Sequence, residues 1–379
     1  MIQTRNSIFG FVVFLVGLAA CNAALAVPIE RMLYVTDSTN GNIFAVAPNK
    51  SVSVLVSEAQ IIAVTGKTEA FFTDNGLYFD QASGKLYFTD SASNSILVRN
   101  ASGTVSQVST EGQIAAATGL AAADPEHIAL IDGKLYVTDF ISDSLLEINP
   151  GTGAVTVLTS ETTFEGLSGI TGDVDLLGGM AVSPDGSTIY VSSSDTPNAV
   201  FAVNRITGTP AVHALDASFG NLDGFMTVAP NGDLIVIDDG PTAGLGDEIF
   251  RVTPGGAISV FLSAADLAAL IGPSADLDGG IAFDEFGNFF LTDEFTDNIY
   301  RWQALDPFAG SINVSSGELF LSEAAVVSAL GLTTGGVDYE GGITFGQAVA
   351  EPASITLFAA ALFGLGAARR RKRRLAGLA

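Results

Sequence analysis

Asp74 with Asn75, Glu126, Asp175, Asp223, Asp278 and Glu340 stand shortly before short apolar stretches, and most of these lead-ins continue into glycine. If the stretches lie side by side, their carboxylates converge and repel one another unless a cation neutralises them or some keep a proton. Hard oxygen ligands of this kind suit Ca²⁺, which takes six to eight of them at about 2.3–2.6 Å. The same residues have a plainer use, since Asp or Asn before Gly is a common way into a strand. Both readings stand on the residues alone.

Nucleophilic chemistry has little to work with. The chain has two histidines and one cysteine. A Ser-His-Asp or Cys-His site would have to centre on His127 or His213. His127, beside Glu126, is the more interesting, although a lone histidine at a strand start is more often hydrogen-bonded structure. No glycine-rich phosphate loop and no zinc-ligand spacing is present.

The elements that would position the carboxylates repeat. LYVTDSTNGNIFAV (33–46), LYFTDSASNSILVRN (86–100), LYVTDFISDSLLEIN (135–149), IYVSSSDTPNAVFAVN (189–204), LIVIDDGPTAGLGDEIFRV (234–252) and FFLTDEFTDNIYRW (289–302) are copies of one hairpin. An apolar strand closes on Thr-Asp or its equivalent, a polar turn follows, and a second apolar strand returns. The closing residues are Asp37, Asp90, Asp139, Ser193, Asp238 and Asp293, at intervals of 45 to 55 residues. The aspartates among them are expected to bond their own turns. Strands at this density with no comparable helix predict an all-β, six-bladed β-propeller.

A shorter strand precedes five of the hairpins: GLYFDQASGK (76–85), HIALIDGK (127–134), GMAVSPDGS (179–187), GFMTVAPNGD (224–233) and GIAFDEFGN (280–288). The first hairpin lacks one, and the chain has a spare copy, GGITFG (341–346). Insertion of that copy as the innermost strand of blade one closes the ring and removes an open edge. SVSVLVS (51–57), GAVTVLTS (153–160) and AISVFLS (257–263) supply outer strands. Ser57, Thr110, Ser263 and Ser322 then open alanine-rich linkers, three with Gln60, Gln113 or Asp266 at capping-box spacing, and Gly66, Gly119, Gly272 and Gly331 as stops. These predict short helices on one face, as a cover for the core or as a lid. Trp302 and Tyr300 are expected in the last blade's core, followed by an irregular insertion over 303–316.

With DGGIAFDEFGNFFLTDEFTDNIYRW (278–302) and GLYFDQASGKLYFTDSASNSILV (76–98) as its clearest repeats, the chain resembles the NHL and SMP-30/gluconolactonase type of six-bladed propeller over residues 31–346. The resemblance implies a divalent ion in the central channel on Glu, Asn and Asp side chains, and makes a metal-dependent lactonase the alternative to a binding module.

Both ends carry sorting features. Arg5, an apolar run from Ile8 to Ala20, and Ala24-Leu25-Ala26 before Val27 form a secretory signal over residues 1–26. Leu18-Ala19-Ala20-Cys21 is a competing lipobox that would lipidate Cys21. If the cut follows Ala26, no cysteine remains and disulfides are excluded. After the propeller (27–348), a tail over 349–379 contains Glu351-Pro352, an uncharged stretch from Ala353 to Ala368, and the cations Arg369, Arg370, Arg371, Lys372, Arg373 and Arg374. The apolar stretch spans about 24 Å as a helix, short for a hydrocarbon core of about 30 Å. This order resembles the PEP-CTERM signal, with Ala350 where that signal has its first proline. The resemblance implies an exosortase-like membrane protease as partner, a transient membrane span, and delivery to the cell surface or matrix. The positive-inside rule keeps the cations cytoplasmic and the body outside.

The whole chain has 41 Asp and Glu against 16 Lys and Arg, a net charge of −25, and the body without its basic tail is more acidic still. Such a surface repels nucleic acid and favours cations and solubility. The chain thus reads as an exported, monomeric propeller that binds an exopolysaccharide or small-molecule ligand, with Ca²⁺ as candidate cofactor.

Overall fold

A computed structural model describes residues 31–346 except 71, 73, 74, 168, 171–173, 177, 195–197, 241–246 and 333–335. The expected N-terminal signal with Cys21, the Glu351-Pro352 dipeptide, the apolar tail and Arg369 to Arg374 lie outside the described residues, as does Asp74. Among the described residues no helix is long and apolar enough to cross a membrane.

The chain is all-β, with six four-stranded antiparallel sheets in a ring. Blade one is ordered Ile343–Gly346, Met32–Asp37, Asn42–Val46 and Val52–Val56. The spare C-terminal strand pairs Leu33 with Phe345 and Val35 with Ile343, so the ring closes as the repeat count requires. The other innermost strands are Leu77–Asp80, Pro125–Ile131, Met180–Val182, Met226–Val228 and Ile281–Phe283.

Packing explains the sequence pattern. The second strand of each blade is covered on both faces by neighbouring blades, so Met32–Asp37, Lys85–Asp90 and Phe289–Asp293 are buried almost throughout and read as near-continuous apolar runs. Outer strands such as Val52–Val56 and Ala154–Thr159 are exposed at several positions. The core between blades is mostly aliphatic, with aromatic side chains clustered within it. Phe289 meets Phe261, Phe283 and Trp302 at centroid separations of 5.3, 5.2 and 5.9 Å.

The recurring Thr-Asp is a double clasp. Its hydroxyl holds the innermost strand: Thr89 Oγ1 donates to the Glu126 carbonyl at 2.7 Å and accepts from Gly76 N at 3.0 Å. Its carboxylate holds the lead-in: Asp139 accepts from Asp124 N at 2.7 Å, and Asp238 from Gly220 N and Asn221 N at 2.8 Å. Ser193 does the same in blade four, accepting from Asp175 N at 3.2 Å. Turn residues reach across to the next blade, as Asp143 does to Leu176 N and Asn198 to Leu222 N, both at 3.0 Å. These acceptors satisfy backbone donors of the lead-ins and explain why polar residues recur at these positions.

The inter-blade helices are α1 (Glu58–Thr65), α2 (Glu111–Thr118), α3 (Glu161–Glu165), α4 (Ala264–Leu270) and α5 (Glu323–Leu330). Thr110 and Gln113 cap α2 reciprocally, at 3.2 and 3.0 Å. α3 was not among the expected helices, because its linker lacks the alanine run. α4 ends at Leu270 and is capped by Ile271, one residue before the expected glycine stop. The insertion after Trp302 is more ordered than expected: a hairpin, Ala304–Asp306 with Ser311–Ile312, precedes the outer strand Glu318–Leu321.

Candidate functional site

All second strands end at their Thr-Asp or its equivalent on one face, termed the upper face, where the lead-ins to the innermost strands also lie. Glycines let those strands meet around the axis. A Cβ on Gly76 would lie 2.5 Å from Ile128 N, and one on Gly179 would lie 2.3 Å from Met226 N. Gly342 N donates to the Asn75 carbonyl at 2.7 Å, and Gly76 N to the Glu126 carbonyl at 2.9 Å. The His127 ring meets Phe225 edge-on at 4.7 Å, although the two belong to blades three and five. A cavity of about 230 Å³ on the axis is lined by both rings and continues to Arg31 and Phe345 at the opposite, lower face.

The upper face gathers carboxylates that are not among the residues lining this cavity. Four overlapping triads, each with oxygens within 4.8 Å of one another, are Asp223-Asp239-Asp278, Asp239-Asp247-Asp276, Asp276-Asp278-Glu294 and Glu294-Asp338-Glu340. They form one arc from blade five across blade six to the closing strand. Burial first, and then neighbouring carboxylates, push Asp239 and Glu294 up to about 8, Asp247 to about 7 and Asp278 to about 6. Burial likewise raises Asp223 and Asp338. None of the four ion pairs among the described residues includes a residue of the arc.

The structure divides the residues expected from sequence. Asp223, Asp278 and Glu340 join the arc. Asn75 is fully buried and spends its amide on blade two, donating to Thr89 Oγ1 at 3.0 Å and accepting from Ser91 Oγ at 2.5 Å. Glu126 is 4% exposed, and neither it nor Asp175 belongs to a triad. His213 sits outside the arc, its Nε2 3.2 Å from the Thr253 carbonyl and its ring 4.9 Å from Tyr190.

Asp239, Asp247, Asp276, Glu294 and Asp338 were not singled out from the sequence. A signal existed for two of them. The residue after the closing Asp or Ser of each hairpin is Ser38, Ser91, Phe140 and Ser194 in the first four blades, but Asp239 and Glu294 in the last two.

The arc fits a hard cation. Its donors are all oxygen, and three oxygens within 4.8 Å of one another can share an ion at Ca²⁺ distances. Asp223 Oδ1 is buried without a hydrogen-bond partner among the described residues, while Oδ2 accepts from Asn221 at 2.5 Å. Asp247 is partly committed elsewhere, because its Oδ2 accepts from Leu277 N at 3.0 Å.

No protein-family model matches the chain, and no curated protein does. Among solved structures it is similar to a chain of a nidogen/laminin complex, with 14% identity over 83% of this chain and 98% of that one and a TM-score of 0.55. A streptogramin B lyase gives 14% identity over 79% and 86%, with a TM-score of 0.51. A gluconolactonase from Xanthomonas campestris gives 17% identity over 70% and 80%, at 0.49. At such identities the likeness establishes the propeller fold alone.

Proposed function

We propose that this chain is an exported propeller, carried by its C-terminal sorting tail to the cell surface or polymer matrix, where it serves as a cation-dependent binding or scaffold module. An exosortase-like membrane protease is the partner that the tail implies. The observation that carries the binding role is the arc from Asp223 to Glu340, in which oxygens approach within 4.8 Å. Ca²⁺ held by a subset of Asp223, Asp239, Asp276, Asp278, Glu294 and Glu340 relieves their repulsion and leaves coordination positions for oxygens of a bound ligand, such as an exopolysaccharide. Asp74, Asn75, Glu126 and Asp175 complete the sequence-derived set, with Asn75 given over to blade two.

The lactonase alternative needs an ion on the axis with an open position. The edge-on contact of His127 with Phe225 and the engagement of Asn75 favour the binding module over it. The test measures Ca²⁺ binding by calorimetry alongside hydrolysis of an aldonolactone panel with Ca²⁺, Mn²⁺ or Zn²⁺. Binding without turnover is expected. Lactone hydrolysis that Glu126→Gln abolishes would reverse the assignment.

A further inference from the structure

The lower face differs from the upper one in its charge. Every described Lys and Arg except Lys67 lies at the lower end of a strand or in a turn joining lower ends, and all four ion pairs, such as Arg205 with Asp132 and Lys134 with Glu147, are on that side. Cations and carboxylates there are close to balance, whereas the upper face holds the acidic arc.

Both ends of the described chain also leave from the lower face. Arg31 N donates to Glu285 Oε1 at 3.0 Å in the lower turn of blade six, and the last strand ends where the Phe345 carbonyl accepts from Gln81 at 2.9 Å. Arg31, Phe286 and Phe345 line a common cavity of about 230 Å³. Beside it lies the inserted hairpin, anchored by Ala304 N to Asn288 Oδ1 at 3.1 Å and packed where a Cβ on Gly287 would meet the Pro307 carbonyl at 2.7 Å. Its outward residues are bare: Phe308 is 79% exposed and Leu305 67%, with Phe286 at 39% nearby.

We infer that the lower face is a membrane-docking surface, and that the Leu305–Phe308 tip enters a bilayer surface while the unprocessed tail holds the protein there. The inference rests on the reading of the tail as a membrane span. From Gly346 only residues 347–352 precede the uncharged stretch, and six residues reach at most about 20 Å. A tethered propeller is therefore held with this face toward the lipid. Near-balanced charge with apolar tips is compatible with an interface, while the arc is repelled by anionic headgroups and faces away.

The test uses the full chain in vesicles of mixed zwitterionic and anionic lipid brominated in one acyl chain. Native Trp302 is 1% exposed and serves as the background. Phe308→Trp should show added fluorescence that the bromines quench, several-fold more than that of Phe295→Trp, placed at an upper-face residue that is 66% exposed. Equal quenching of the two variants in protein that floats with the vesicles overturns the docking face and leaves the tether standing. Full-length protein that does not float with vesicles overturns the tether, and the docking face with it.

Discussion

Calcium should bind the arc with a thermal and a proton signature, and the pair of variants Asp239→Asn and Asp278→Asn together should remove both. In the metal-free protein at pH 7, Asp239 and Glu294, at about 8, are mostly protonated and Asp247, at about 7, is half so. An ion on Asp223-Asp239-Asp278 must displace the Asp239 proton, so binding releases about one proton per ion at pH 7 and almost none by about pH 9.5. An ion that binds only the folded state stabilises it by about 2.7 kcal/mol at a hundredfold excess over Kd. For a propeller of this length that is a rise of about 4 °C in Tm. The assays are calorimetric titrations in two buffers of different ionisation enthalpy and melting curves with and without chelator. The double variant should also melt higher than the parent without metal, because two mutually repelling acids are gone. A Ca²⁺-dependent rise in Tm without proton release would place the ion elsewhere. An unchanged curve in protein shown to be metal-free would return the arc to passive surface.

Other outcomes follow from the same geometry. Raised folded-state values mean that the arc's contribution to stability is fully present below about pH 4 and is lost as pH rises toward 8, so metal-free protein should melt lower at pH 8.5 than at pH 5.5, a difference that Ca²⁺ narrows. Thr89→Val removes the hydroxyl that joins Gly76, Asn75 and Glu126 and should cost about 1–3 kcal/mol, read by denaturant unfolding; a cost near zero would contradict the clasp. Truncation after Leu332 deletes the Ile343–Gly346 strand and should give aggregated or protease-sensitive protein, and a truncated chain as stable as the parent would contradict ring closure. Neutral residues at Arg369 to Arg374 should impair surface delivery, and normal surface amounts at mature size would make the tail dispensable.

The sequence alone determined what is periodic. Six hairpins, a missing first strand and a spare last one required a closed six-bladed ring, because strand pairing inside a blade is local and each blade repeats the same burial. Capping residues at Thr110 and Ser263 located helices for the same local reason. The acidic lead-ins at Asp223, Asp278 and Glu340 were legible too. What the sequence left undecided was which acids meet. Asp239 reaches Asp278, and Glu294 reaches Glu340, only because the upper turn of one blade is packed against the lead-in of the next. That contact depends on how blades are inclined and spaced, which no repeat inside a blade encodes. Glu126 shows the converse, since alignment grouped it with the rim while packing buried it. The exposed Phe308 tip likewise lay inside a segment that read as irregular. Its place on the lower face, beside both chain ends, follows from the sense in which the ring's strands run.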